Sequence, residues 1–442
     1  MTREHWGSKL GFILAAAGSA VGLGNVWKFP YLVGQNGGAV FVITYLVLAL
    51  TIGAALILAE LALGRAAQKD PVGTFANLRG GAWSLAGYLG VLSGFLVLTF
   101  YSVIGGWTLA YIVKMVDGSL METGLDLTGV FNGFVSNSVE PLIYHALFML
   151  MTVLVVLRGI GSGIERCNKF LMPALFLILV FLAVRAVTLD GAAAGVEFYL
   201  RPDFSKFSGD TLVAALSQAF FSLSIGLGIL ITYGSYLDRS QNIQRSTLWI
   251  IVLDTGVGIF AGLIIMPAVF AFGIEPGAGP GLTFITLPGI FQQITGGILF
   301  GTAFFVLLLF AALTSSVSLL EVPVAYLMDE LQLSRKTAVL VLGGVAFLIG
   351  IPSSLSFGVM SDMTLFGMGF MDLLDYLTTK VMIPAGGLAV CIFAGWIVWP
   401  RISAEVSNDG TLSFPLSTIW GWVLKVIAPA SIAMIMVYGF LH

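Results

Sequence analysis

Apolar runs of 18 or more residues recur along the whole chain, and they decide its environment. A run of that length with few charges forms a helix that crosses a hydrocarbon layer about 30 Å thick, because each backbone N–H and C=O in lipid must bond within its own segment. Eleven spans are predicted, at 10–35, 38–64, 86–116, 142–158, 168–188, 211–237, 245–273, 295–328, 336–353, 371–398 and 418–440. Charged residues make up 10% of the 442 and hydrophobic residues 58%, whereas a soluble domain carries about 25% charge. The expected fold class is therefore an all-α integral membrane protein, with residues 1–442 forming one transmembrane domain. The net charge of -3 carries little information, and no basic patch suggests nucleic acid. Met1 to Leu10 is polar and leads into a span too long for a signal segment, so a cleaved targeting peptide is not expected. Cys167 and Cys391 read as reduced packing residues. His5, His145 and His442, near predicted membrane edges or termini, form no metal-ligand spacing and no organic cofactor motif is present.

Orientation follows from lysine and arginine, which collect on the cytoplasmic side. With the N-terminus inside, the inner segments hold Arg3, Lys9, Arg65, Lys69, Arg79, Arg158, Arg166, Lys169, Arg239, Arg245, Arg335, Lys336 and Arg401. The outer loops hold Asp117, Glu122, Asp126, Glu140, Asp190, Glu197, Asp203, Asp210, Glu275 and Asp362, with Arg201 and Lys206 among them. The N-terminus is expected in the cytoplasm of a cell-membrane protein, and His442 outside.

Two spans are abnormal. Span 1 contains Gly18-Ser19-Ala20-Val21-Gly22-Leu23-Gly24-Asn25, and span 6 contains Ser222-Leu223-Ser224-Ile225-Gly226-Leu227-Gly228. The shared Gly-Leu-Gly recurs 204 residues, or five spans, apart. Glycine costs about 1 kcal/mol relative to alanine in a helix interior, so such clusters invite unwinding. Broken helices at matching places in two halves point to a transporter site at the midplane. Close packing of small faces is the alternative; it fits the glycines but not the polar residues beside them.

An unwound segment frees backbone groups. N–H groups at a half-helix N-terminus suit a carboxylate, and freed carbonyls suit sodium or an ammonium group. Asn25, Ser222, Ser224, Asp254 and the run Thr314-Ser315-Ser316 offer the oxygen ligands that hard cations take. Asp254 lies deep in span 7, which makes it a functional-site residue by default; the alternative is a structural hydrogen-bond acceptor. The Thr-Ser-Ser run equally suits hydroxyls bonded back to their own helix. Lys28 and Asp375, just outward of the breaks, can pair across a pathway or snorkel independently. Glu60 and Glu321 are expected to bond backbone near the breaks. Tyr101 and Phe221 show, by spacing alone, nothing beyond packing.

These residues carry a resemblance. Arg3-Glu4-His5-Trp6, the run from Gly18 to Asn25 continued by Val26-Trp27-Lys28-Phe29-Pro30, Asn36-Gly37-Gly38, Glu60-Leu61-Ala62-Leu63-Gly64-Arg65, Ile231-Thr232-Tyr233-Gly234-Ser235-Tyr236 and Leu313-Thr314-Ser315-Ser316 resemble, in order, the motifs of neurotransmitter:sodium symporters. Eleven spans resemble a prokaryotic branch of that family. The resemblance implies a LeuT-like fold: two inverted five-helix repeats, 10–188 and 211–398, plus an extra span, 418–440. It also implies sodium-coupled symport of an amino acid by alternating access, with two sodium sites, in a monomer or weak homodimer within the lipid bilayer.

The resemblance further implies residue roles. One sodium would meet the Ala20 carbonyl, Asn25, Ser222, Asp254 and the substrate carboxylate. A second would meet carbonyls of Gly18, Val21 and Ala311 with the hydroxyls of Thr314 and Ser315. The substrate carboxylate would meet the N–H groups of Leu23 and Gly24 and the Tyr101 hydroxyl; its amine would meet carbonyls of Ala20, Phe221 and Ser222. Val97, Ile104, Phe221, Ser224, Leu227 and Leu319 would line the side-chain pocket, with Ser19 and Ser315 beside it. Tyr101 and Phe221 would form a lid, Lys28 and Asp375 an outer gate, and Arg3, Asp329, Trp6 and Tyr236 an inner one.

Some positions depart from the family. Lys28 stands where arginine is usual and cannot make the bidentate fork; Ser222 replaces a common threonine, and Ser19 an asparagine of some relatives. Amine-transporting relatives carry aspartate at the position of Gly22, so the substrate is expected to be a zwitterionic, hydrophobic or aromatic amino acid. Asp254 with Gly258 four residues on implies no chloride requirement. A membrane enzyme would need an acid, base or nucleophile set, and no histidine or cysteine joins Asp254. A channel would need open coordination along a pore.

Overall fold

The computed structural model describes residues 3–122, 124–274 and 280–441; Glu275 and His442 lie outside the described residues. Among the described residues the regular elements are helices, and one isolated bridge joins Leu365 and Met368. Continuous apolar helices long enough to span a bilayer are Ala39–Ala67 (span 2), Gly81–Val116 (span 3), Glu140–Leu157 (span 4), Ile160–Val187 (span 5), Ile243–Ala271 (span 7), Gly297–Asp329 (span 8), Arg335–Leu355 (span 9), Phe370–Ile397 (span 10) and Ser417–Gly439 (span 11). Span 1 is a pair, Lys9–Ala20 and Gly24–Gln35, bent by 55°. Span 6 is divided more widely, into Gly209–Ser222 and Ile229–Gly234.

Spans 3 and 8 pack along one another and form a wall, and the inner half of span 1 lies against spans 5, 7 and 8. The two pieces of span 6 lean on span 2. The broken helices are thereby held in the interior, where unwound backbone at membrane depth can find partners instead of lipid.

Short helices outside the spans, Pro71–Leu78, Leu127–Ser136, Ala192–Leu200, Thr286–Gln293 and Trp399–Val406, were not expected from hydropathy. They are too short to register as spans. Pro71–Leu78 is fixed by local chemistry: Asp70 caps it by accepting from the N–H of Val72 at 2.9 Å, and Pro71 needs no donor partner at the first position. His145, in the first turns of span 4, is fully buried and lies 2.9 Å from the Ser102 hydroxyl. Cys167 and Cys391 are free.

Candidate substrate and ion site

Span 1 breaks where its sequence turns to small residues. Ala20 ends the first helix, and Val21 is extended (ψ 102°), its N–H still bonded to the Ala17 carbonyl at 2.7 Å. Two N–H groups then lose helical partners. That of Gly22 donates to Asn25 Oδ1 at 3.2 Å and that of Leu23 to the Tyr101 hydroxyl at 3.0 Å. The helix resumes as a wide π turn, Gly24–Lys28.

Span 6 breaks after Ser222. Ser224 and Gly226 take positive φ, 55° and 81°. Glycine is required at 226, because a Cβ there would lie 2.4 Å from the Ile383 carbonyl oxygen. The freed N–H of Gly226 donates to Glu60 Oε1 at 2.8 Å. Ser224 folds back across the other break and donates to the Ser19 carbonyl at 3.0 Å. The two breaks thus touch directly.

Asp254 lies fully buried where they meet. Its carboxylate accepts from Asn25 Nδ2 at 2.8 Å, from Ser222 Oγ at 2.9 and 3.0 Å, and from the Tyr45 hydroxyl at 3.1 Å. A buried charge is tolerated only when bonded in this way. On the far side of span 1, Thr314 Oγ1 lies 3.1 Å from the Ala311 carbonyl and 3.5 Å from that of Val21, and Ser315 Oγ lies 3.1 Å from the same Val21 carbonyl. Four oxygens from two helices converge here, with no sulfur or imidazole, a donor set suited to a hard monovalent cation. One turn earlier, the Cα of Gly18 faces span 5, where a Cβ would meet Asn168 Oδ1 at 2.1 Å.

Between these clusters lies a small chamber lined by Ser19, Ala20, Gly24, Val97, Phe221, Ser224, Leu227, Ser315 and Leu319, among others. Ile104 and Leu23 line a second, outer chamber with Lys28, Trp107, Phe284 and Asp375. Tyr101 and Phe221 line both and form the boundary between them. The outer chamber is not sealed by an ion pair. Lys28 has no carboxylate within 4.0 Å among the described residues, and its ammonium lies 4.9 Å from the centroid of the Phe221 ring.

The opposite end is closed. Arg3 reaches Asp329 at 2.5 Å, donates to the Ser235 carbonyl at 3.0 Å, and lies 4.9 Å from the centroid of the Tyr236 ring. Trp6 donates to the Tyr233 carbonyl at 3.0 Å. Asp70, just outside span 2, joins this closure through its own N–H, which donates to Asp329 Oδ2 at 2.8 Å. Burial, with Asp329 and Glu330 nearby, pushes the Asp70 carboxyl up to about 7.

Several residues of this site, among them Asp70, do not stand out in the sequence. Tyr45 bonds Asp254, and Gln218 donates to the Gly24 carbonyl at 3.1 Å; neither stands out in an apolar, aromatic-rich span. Glu60 does bond backbone at a break. Glu321 does not: it is held by Arg335 at 2.7 and 3.0 Å and by the Tyr236 hydroxyl at 2.7 Å. Charge wins there, because a guanidinium reaches a buried carboxylate and gives two charge-assisted bonds.

Comparison with known proteins extends this geometry. The family model described as the sodium:neurotransmitter symporter family matches residues 3–124 and 135–442. YhdH, a sodium-dependent transporter of Bacillus subtilis (strain 168), is 42% identical over 434 residues, covering 98% of this chain and 96% of its own. The sodium- and chloride-dependent GABA transporter 2 of Homo sapiens is 29% identical over 404 residues, covering 79% of this chain and 67% of its own. The crystal structure of MhsT in complex with L-phenylalanine superposes with a TM-score of 0.90 at 45% identity, covering 99% of this chain and 100% of that one. These relatives are transporters, not enzymes, and the fold shared with MhsT is the LeuT-like one. A match that runs through both broken spans and the helices around them makes this multi-pass membrane protein a member of the sodium:neurotransmitter symporter family.

Proposed function

We propose that the protein carries a zwitterionic, hydrophobic or aromatic L-amino acid inward with sodium, by alternating access and without chloride. The observation that carries this reading is the Asp254 carboxylate, held by Asn25, Ser222 and Tyr45 at the junction of the two breaks. It supplies a fixed negative charge beside the chamber.

In this reading one sodium sits among Asn25, Ser222, Asp254, the Ala20 carbonyl and the substrate carboxylate. The second sits among Thr314, Ser315 and the carbonyls of Gly18, Val21 and Ala311. The amino acid places its carboxylate toward Leu23, Gly24 and Tyr101, and its amine toward carbonyls of Ala20, Phe221 and Ser222. Its side chain enters the apolar end near Val97, Leu227 and Leu319, and Ile104 closes over it when the lid moves. The L-phenylalanine bound by MhsT supports a ligand of this size.

The halves 10–188 and 211–398 rock about the site, with 418–440 outside the repeat. Arg3, Trp6, Tyr236 and Asp329 close the cytoplasmic end, and Lys28 and Asp375 the outer end. The N-terminus is cytoplasmic, and the working unit is a monomer or weak homodimer in the cell membrane.

Purified protein in proteoliposomes tests this. Uptake of labelled L-phenylalanine should be saturable, should require an inward sodium gradient, and should persist when gluconate replaces chloride. Sodium-independent or non-saturable uptake would rule the reading out.

A further inference from the structure

At the membrane face that carries Arg3 and Asp329, spans 10 and 11 enclose a groove that transport leaves unused. Its wall is Trp396, Trp399 and Trp422, and its polar end holds Ser403, Ser417 and Thr418 beside Lys425. Both flanks are wide π turns, Phe393–Ile397 and Val423–Ile427. Such turns are rare and concentrate at functional positions.

The groove is shaped by small residues. A Cβ at Gly421 would lie 2.9 Å from the Trp399 ring, and one at Gly395 would lie 3.2 Å from Cγ of Lys425. Trp396 donates to the Lys425 carbonyl at 3.2 Å. The Lys425 ammonium lies 4.8 Å from the centroid of the Trp399 ring and 5.9 Å from that of Trp396.

What this cation lacks is an anion. Glu405, on the helix that carries Trp399, is engaged by Arg65 and Arg239, and Asp409 just beyond it by Arg239. Among the described residues Lys425 has no ion pair, and the hydroxyls of Ser403, Ser417 and Thr418 have no hydrogen-bond partner. The first turn of span 11, Ser417 onward, adds the positive end of a helix dipole. On the other side the groove opens toward lipid, with Trp396 62% and Trp422 64% exposed.

We propose that this groove binds an anionic glycerophospholipid of the leaflet at that face. Its phosphate meets Lys425 and the three hydroxyls, and an acyl chain runs along Trp396 and Trp422. A free phosphate would satisfy the polar end but not the aromatic wall that opens into the hydrocarbon. A zwitterionic lipid would bring its own cation against Lys425. Tryptophan favours this interfacial depth, and a basic pocket between helices selects anionic headgroups.

The test is native mass spectrometry of the full-length protein in detergent, titrated with phosphatidylglycerol or with phosphatidylcholine of matched chains. Wild type should bind the first phosphatidylglycerol more tightly than phosphatidylcholine. Lys425→Gln should weaken phosphatidylglycerol about fivefold and leave phosphatidylcholine unchanged. Lys425→Arg should retain the preference, and Lys336→Gln, an exposed lysine at the same face, should behave as wild type. Equal affinity for the two lipids in wild type, or unchanged phosphatidylglycerol affinity in Lys425→Gln, would overturn the proposal. So would displacement of phosphatidylglycerol by millimolar inorganic phosphate, which would mark an anion pocket. None of these readouts depends on amino-acid transport, so the outcome is separate from that of the proposed function.

Discussion

The ammonium of Lys28 rests 4.9 Å from the centroid of the Phe221 ring and makes no ion pair with Asp375, although both side chains line the outer chamber. At the other end Arg3 and Asp329 are in contact at 2.5 Å. One ion pair is made and the other is not, so the two ends of the site differ. Lys28 thus rests on a residue that lines both chambers.

The Lys28 and Asp375 pair should therefore matter for transport and little for stability. A partly hydrated ion pair is worth ~0–1 kcal/mol, and here it is not formed. Asp375→Asn should shift the melting temperature by less than about 4 °C while slowing uptake. A large fall in melting temperature with normal uptake per folded molecule would assign the pair a structural role.

Asp70 should make the closed inner end sensitive to pH. Its carboxyl sits at about 7 in the folded protein against an ordinary 3.8. Between those values the native state keeps a proton that the unfolded chain has released. The stabilising contribution of this group is complete below the lower value and is lost as the pH climbs to the higher one. Burial disfavours the ionised form, and Asp329 and Glu330, themselves paired with Arg3 and Lys69, repel it. Asp70→Asn keeps a capping side chain. Melting temperature followed from pH 4 to pH 8 should fall more steeply in wild type than in this variant. Parallel curves would show that Asp70 titrates normally.

How far sequence could reach depended on whether a residue contrasts with its surroundings. Asp254 is a charge within an apolar span, and Gly22-Leu23-Gly24 and Gly226-Leu227-Gly228 are flexible clusters where helix formers are expected. Each stands out without any knowledge of the fold. Tyr45 does not, because an aromatic is ordinary in any span, and only tertiary packing brings its hydroxyl to Asp254 at 3.1 Å. Glu60 and Glu321 looked alike in sequence, yet one caps the Gly226 N–H and the other pairs with Arg335. Their difference lies in neighbours 166 and 14 residues away. The short helix Trp399–Val406 was invisible to hydropathy, although it supplies part of the lipid groove.

Gly22 should exclude ligands that lack a carboxylate, by leaving no protein anion to replace it. A Cβ at this position would lie 2.8 Å from Ser315 Oγ and 2.9 Å from the Tyr101 hydroxyl, so the site has no room for one. Phenylethylamine should bind at least about tenfold more weakly than L-phenylalanine, because the charge-assisted bonds of the carboxylate are lost. Gly22→Asp should abolish L-phenylalanine binding. Sodium-dependent thermal shifts measure both, and equal shifts from the amine and the amino acid would sink the zwitterion requirement.

Transport should not need chloride, and Asp254 is the reason. Two sodium ions and a zwitterion bring net positive charge into a low-dielectric site, where uncompensated charge is expensive. Tyr45, Ser222 and Asn25 already spend their donors on the Asp254 carboxylate, and Gly258 has no hydroxyl with which to hold an anion. The human GABA transporter 2 that this chain resembles is described as chloride-dependent, so the two should diverge in one experiment. Sodium-driven uptake into proteoliposomes should be unchanged when gluconate replaces external chloride; a collapse that chloride restores would refute the substitution of charge. Asp254→Asn should weaken sodium binding about tenfold or more, with or without chloride. Once sodium and substrate have left, the same carboxylate is buried without its cation, and a proton is the smallest ion that can neutralise it for the return. Uptake should therefore slow when the internal pH is raised, and the Asp254→Asn variant should have lost that dependence.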